Sequence, residues 1–482
     1  MVDLAPIRPA PGRPGPVRTS PRRTTFALLT GSLVFAIGQT SLFPAFPQMQ
    51  KAFHTSVTGV TWTATAFQVM AAVSTGVLGR LGDMFGKRRM LLIVLCTYGL
   101  GGVVTATASS IGVAVLGRLV MGVGGAVLPL SYSVARDELP REHFAGGVGL
   151  ISSTLGVGTG LGLVIGGLIC DHTTFRWVFG ISVVGAVISV TLVALFVPPS
   201  RARTPARVDS VGVVLLSVGL ALPLIGVSRA SHVGWLAGPT LVLIASGLIV
   251  LVVFGVFEMR HPQPLFHVPT FLRPQVLRTD IVMMLSGFAF YGGTFIVLVQ
   301  FAQVPRSSGF GFGLSATQSG LVLVPGSIGM LVAANFASRL MASIGANRVL
   351  LFGAALSTTG ISLLIVDHRR LATFATWATL VFLGLGLLSS AAPVLVLRDV
   401  PLNRSGEATG VNTIVRYVGS SLGTQVSASV LTASALTART SYPSEHGYQV
   451  VFALLAVVGV TSMAVASRIP KPADDQLRIQ SA

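Results

Sequence analysis

Long apolar stretches of about 20 residues, repeated from near residue 25 to near residue 468, constrain this chain more than any other feature. They start near Thr25, Gly59, Met90, Ile111, Ala145, Phe175, Ser210, Trp235, Asp280, Gly313, Asn347, Ala372, Ala408 and Gly447, fourteen in all. A helix rises about 1.5 Å per residue and the hydrocarbon of a bilayer is about 30 Å thick, so each stretch is long enough to cross. The expected fold class is an all-α polytopic membrane protein. Composition agrees: 52% of the 482 residues are hydrophobic and 10% charged, against about 25% charged in a soluble domain.

The net charge of +18 would suggest nucleic acid in a soluble protein. Here the basic residues form no stripe; they fall between the apolar runs, as membrane topology requires, and no nucleic-acid partner is expected. Of the 33 Lys and Arg, 24 lie on the side carrying both termini, 7 on the other, and Arg118 and Arg416 inside helices. The positive-inside rule then puts both termini in the cytoplasm of a multi-pass protein of the bacterial plasma membrane. Residues 1–24, rich in Pro and Arg, read as a disordered tail, and the first run lacks the small-residue ending of a cleaved signal. Cys96 and Cys170 have no metal-ligand spacing and the eight histidines are scattered, so neither metal nor cofactor is expected.

A weak internal repeat runs through the chain. Gly79–Arg89 overlays Ser338–Arg348 at an offset of 259, pairing Leu81 with Leu340, Gly86 with Gly345 and Arg89 with Arg348. At an offset of 263, Arg141, Ala145, Gly147, Gly156 and Gly160 meet Arg404, Ala408, Gly410, Gly419 and Gly423. Two six-helix bundles, 25–200 and 279–468, with two extra helices and a linker across 201–278 and a cytoplasmic tail at 469–482, satisfy both overlays.

Four motifs carry mechanism. The stretch Gly79-Arg80-Leu81-Gly82-Asp83-Met84-Phe85-Gly86-Lys87-Arg88-Arg89 falls in the expected loop between the second and third helices; its glycines permit a tight turn and Asp83 can pair with a base or a helix N-terminus. Arg118, in Leu116–Ala126, is a lone cation inside an apolar span and is expected to face a polar cavity. Gly156–Gly167 is a glycine-rich helix followed by Phe175-Arg176-Trp177. The second half carries Gly320–Pro325, Gly406–Gly410 and Arg416–Gly423. Together these resemble the major facilitator superfamily, in its fourteen-helix drug:proton antiporter branch.

That resemblance implies a gating role for Gly79, Asp83, Gly86, Lys87, Arg88 and Arg89, coupling through Arg118 and Gly122, and an antiporter helix at Gly158, Gly162, Gly166 and Gly167. Two positions depart from it: Gly38 stands where the first-helix aspartate belongs, and Leu163 where the fifth-helix proline belongs. All fifteen acidic residues are expected away from the midplane, with Asp280, Asp209 and Glu407 at cytoplasmic helix ends. Polar and aromatic residues inside helices form the candidate substrate set: Gln39, Trp62, Phe67, Gln68, Arg118, Tyr291, Gln300, Asn335, Asn412 and Arg416. Two intramembrane arginines without an acid imply an electropositive cavity.

The resemblance implies a monomeric exporter of small hydrophobic or amphipathic compounds such as antibiotics, exchanging them for protons by alternating access. The alternatives are an exporter of one endogenous metabolite and a transporter-like sensor without proton coupling. A polytopic enzyme is disfavoured, because no H-x-x-x-H or D-x-D group is present.

Overall fold

Each apolar run in the computed structural model is a helix, and the sequence shows why the helices begin and end where they do. The structure describes residues 20–199, 209–261, 264, 268–398, 400, 405–438 and 442–469, without the side chains of 83, 141–146, 148, 231, 232, 405–407 and 438. The proposed tails fall almost wholly outside these. In chain order the helices are α1 (Pro21–Thr40), α2 (Phe46–Phe53), α3 (Val57–Phe85), α4 (Lys87–Ala106), α5 (Ile111–Gly122), α6 (Val127–Glu138), α7 (Arg141–His172) and α8 (Arg176–Phe196). There follow α9 (Ser210–Val233), α10 (Gly238–Arg260), the single turn α11 (Val268–Phe271), α12 (Pro274–Ser286), α13 (Thr294–Gln303), α14 (Ala316–Ile344), α15 (Ala346–Val366), α16 (Leu371–Arg398), α17 (Ser405–Ala438) and α18 (Glu445–Ala466). Starts are set by side-chain caps: Ser56, Ser110, Asp209 and Ser444 each accept a backbone N–H three residues on, and Ser315 and Gln318 form a reciprocal capping box.

One expectation is corrected here. Gly79–Phe85 is not loop but the last two turns of α3, and α4 resumes at Lys87, so the connection is the single residue Gly86 at φ 101°. Its repeat partner Gly345, at φ 85°, makes the same one-residue joint between α14 and α15. An L side chain is strained at such a φ, so both joints require glycine. The 259-residue overlay therefore corresponds to a repeated piece of architecture.

Twelve segments among the described residues are long and apolar enough to cross a membrane. Neither α3 nor α17 is in that set, although at 29 and 34 residues they are as long as their neighbours and packed among them. Both are rich in Thr, Ser and Gln, and they pack on each other. The helices α1 and α3–α8 pack together, as do α12–α18, while α9 and α10 pair with each other and α9 leans on both α3 and α17. The two groups meet along two seams, α3 with α17 and α7 with α14. The second follows from the first by the same pseudo-symmetry, since α14 repeats α3 and α17 repeats α7.

Candidate translocation seam and coupling sites

The α3–α17 seam is a ladder of neutral hydrogen bonds. The Thr58 amide donates to the Thr432 hydroxyl at 3.0 Å, the two hydroxyls lie 2.7 Å apart, and the Thr58 hydroxyl also reaches the Ala428 carbonyl. Further along, the Thr65 hydroxyl donates to Gln425 Oε1 at 3.1 Å, and Gln68 Nε2 donates to the Ser420 hydroxyl at 2.9 Å. On the second seam, Asp171 at the end of α7 receives the Ser315 hydroxyl at 2.6 Å and the Thr317 and Ala316 amides at 2.8 and 3.0 Å, capping α14 from the opposite bundle. Gln303 Nε2 donates to the Pro44 carbonyl, and Phe43 stacks on Phe295 across the same divide. By helix direction, these lie in the half of the molecule far from the two described chain ends, except the Gln68–Ser420 pair, which lies near the middle. The bundles are thus joined at the far end by short, mostly uncharged side chains.

The glycines of α7 serve both of its neighbours. A Cβ at Gly158 would overlap the Ala36 side chain, one at Gly162 the Thr40 hydroxyl and Ile37 carbonyl, and one at Gly166 the Ser41 backbone, all of the first-helix segment; Thr40 also donates to the Thr159 carbonyl at 3.1 Å. A Cβ at Gly167 would overlap the Ala316 and Thr317 backbone of α14, and one at Gly160 would press on Ser327. Leu163, in the proline's place, is fully buried with its carbonyl against Gly320.

Arg118 overturns the expectation of a polar cavity. It is 1% exposed; its Nε donates to the Thr63 carbonyl at 3.0 Å, its Nη1 to the Gly38 carbonyl at 3.2 Å, and its guanidinium lies 4.1 Å from the Phe67 ring centroid. Carbonyls and a π face together replace an acid partner. The missing aspartate at 38 has a packing reason, because a Cβ there would overlap the Tyr98 hydroxyl, which is buried beside Ser182. Gly38→Asp is therefore expected to cost about 1–3 kcal/mol of stability, read as a lower melting temperature in detergent, and the cost is expected to shrink in a Tyr98→Phe background, which lacks the overlapping hydroxyl. An unchanged melting temperature in the single variant would contradict this packing.

The remaining substrate candidates divide. Asn412, Tyr291 and Arg416 come together on the second bundle: Asn412 donates to Asp280, and Arg416 stands 4.8 Å from the Tyr291 ring and 4.9 Å from that of Tyr417. Tyr291 belongs to a π-helical segment, Gly287–Gly293, whose glycines let its backbone approach Arg416 and Ser420 of α17. Such single-turn irregularities concentrate at functional sites. Gln68 belongs to the seam; Gln300 is buried, its amide nitrogen without a hydrogen-bond partner among the described residues; Gln39 is half-buried on α1. Three leave the set on geometry: Trp62 donates to Ser228 of α9, Phe67 is buried beneath Arg118, and Asn335 is exposed on α14, donating to its own helix.

Around Gly86, Lys87 pairs with Asp137 of α6 at 2.7 Å, Arg88 donates to the Ala194 carbonyl, and Arg80 to the Pro264 carbonyl beyond α10. Arg89 is exposed, and the side chains of Asp83 and Glu407 lie outside the described residues. Asp209 caps α9, as expected. Asp280 does not keep to a helix end: it is buried well inside α12. The sequence reading missed it, together with Asp171 and the threonine ladder. The bunching of Thr58, Thr61, Thr63 and Thr65 in one apolar span was the available signal.

Two pseudo-symmetric helical bundles meeting along two seams match a transporter scaffold, and a family profile for the Major Facilitator Superfamily matches residues 28–424. The chain belongs to that superfamily, and is a multi-pass membrane transporter rather than an enzyme. It is similar to the tetracenomycin C resistance and export protein of Streptomyces glaucescens, 28% identical over 83% of this chain and 74% of that one. It is 25% identical to multidrug resistance protein Stp of Mycobacterium tuberculosis, over 81% of this chain and 72% of that one. In fold it is similar to a D-xylose–proton symporter, with a TM-score of 0.67 at 14% identity, covering 93% of this chain and 98% of the other.

Proposed function

We propose that this protein exports small hydrophobic or amphipathic compounds, antibiotics among them, from the bacterial cytoplasm in exchange for protons. It acts as a monomer of the fourteen-helix drug:proton antiporter branch, with α3 and α17 among its spans and both ends of the polypeptide in the cytoplasm. The supporting observation is the far-end seam. Neutral hydrogen bonds contribute only about 1 kcal/mol each, so a ladder of hydroxyls and amides between Thr58–Gln68 and Ser420–Thr432 can be exchanged for water and remade in every cycle. That suits alternating access, in which the bundles rock about a central site.

In this reading Gly79, Asp83, Gly86, Lys87, Arg88 and Arg89 gate the cytoplasmic end. Arg118 and Gly122 hold α5 against α1 and α3, and Arg416 with Tyr291, Asn412, Gln68, Gln39 and Gln300 meets the substrate. Among the described residues Arg416 has two aromatic faces beside it and no carboxylate within ion-pair distance, which favours substrates carrying an acidic or electron-rich aromatic group.

The test is transport in inside-out membrane vesicles across a panel that includes tetracenomycin C and ethidium. At least one compound is expected to accumulate several-fold above vesicles lacking the protein, and a protonophore to abolish the difference. Accumulation that ignores the protonophore would remove proton exchange; no accumulation of any compound would favour the sensor.

A further inference from the structure

Asp280 is buried six residues into the continuous Pro274–Gln303 segment, about 9 Å along the helix axis. The other buried acids among the described residues, Asp209 and Glu258, sit at helix ends. The Asp280 Oδ1 accepts from Asn412 Nδ2 at 2.7 Å, and this is its one hydrogen bond among the described residues. Charged groups on the surrounding elements are engaged elsewhere or set apart. Arg416 on α17 lies against Tyr291 and Tyr417, Arg398 at the end of α16 donates to Gln275, and Arg278 on its own helix donates to the Arg468 carbonyl beyond α18. Arg273 stands at the N-cap of α12, and Glu445 and His446 belong to the far end of α18. None of the described bases forms an ion pair with Asp280.

A carboxylate in a low-dielectric span without a cation costs several kcal/mol, and a bound proton removes that cost. Its partner suits both states. An amide donates N–H to a carboxylate and, turned over, accepts O–H from a carboxylic acid, whereas an arginine could only donate. The pair also bridges α12 and α17, and α17 forms the seam with α3. Charge at this point therefore bears on the helix that must part from the opposite bundle.

We propose that Asp280 carries the coupling proton in place of the aspartate missing at position 38, with Asn412 as its positioning residue; this rests on the proton-exchange reading above. In each cycle the carboxylate takes one proton from water on the outer side and returns it to water on the cytoplasmic side. One O–H bond forms and breaks, and no electrons change hands.

Two measurements test it on the purified full-length protein. In infrared difference spectra, wild type is expected to show a protonated-carboxyl C=O band that titrates with pH, and Asp280→Asn to lack it. Asp280→Glu should retain the band, and Asn412→Leu should shift its midpoint by about one pH unit or more. In proteoliposomes loaded with tetracenomycin C, Asp280→Asn is expected to lose about tenfold or more of the transport driven by a pH gradient, while exchange of labelled for unlabelled compound stays within about twofold. A titrating band and a gradient response retained in Asp280→Asn would overturn the proposal. Should Asp280→Asn not assemble, an unmoved midpoint in Asn412→Leu would overturn it instead. A wild type that moves tetracenomycin C without any response to the gradient sinks proton exchange itself, a failure distinct from that of Asp280.

Discussion

Gly167→Leu is expected to abolish transport in a protein that still folds, whereas Gly166→Leu, one residue earlier, is expected to prevent stable folding. Consecutive residues on a helix point about 100° apart, so the two positions meet different neighbours. A side chain at 166 collides with the Ser41 backbone inside its own bundle. A side chain at 167 collides with the Ala316 and Thr317 backbone of the opposite bundle. That collision disappears when the seam opens. Overpacking of this kind costs about 1–3 kcal/mol, and at the upper end shifts a two-state equilibrium more than a hundredfold toward the open seam. Melting in detergent and transport in vesicles separate the two variants; equal loss of folding in both would mean that the seam is not a moving interface.

The second large effect concerns Arg118, whose side chain is among the largest that the fold fully buries. Arg118→Ala leaves the Gly38 and Thr63 carbonyls facing a void beside Phe67 and is expected to cost about 3–5 kcal/mol. Arg118→Met refills most of the volume and removes a buried charge, so its melting temperature is expected to return close to wild type. If the guanidinium serves coupling, transport stays lost in both. Thermal melting with a parallel transport assay checks this, and a stable Ala variant would contradict the packing described.

The periodic apolar runs and the glycine joints made the scaffold legible, because span length and positive φ are local requirements. The predicted starts fall within six residues of helix starts, the largest offset being Asp280, which lies inside α12 rather than at its head. That offset explains the misplacement of Asp280: an apolar run counted from its first hydrophobic residue puts the acid at the boundary, but Pro274 and Gln275 already belong to the helix. Arg118 was legible as a buried cation, but its carbonyl partners come from Gly38 and Thr63 on two other helices, which no spacing in the sequence reveals. Likewise Gly38 reads as a lost aspartate until Tyr98, sixty residues on, is seen to fill the space.

The central claim is that the far-end seam opens and closes during transport. Thr58 and Thr432 have hydroxyls 2.7 Å apart across it, so cysteines at both positions fall within disulfide reach. In a background lacking Cys96 and Cys170, oxidation of the Thr58→Cys/Thr432→Cys variant is expected to stop transport, and reduction to restore it. Full transport with the disulfide formed would contradict the account.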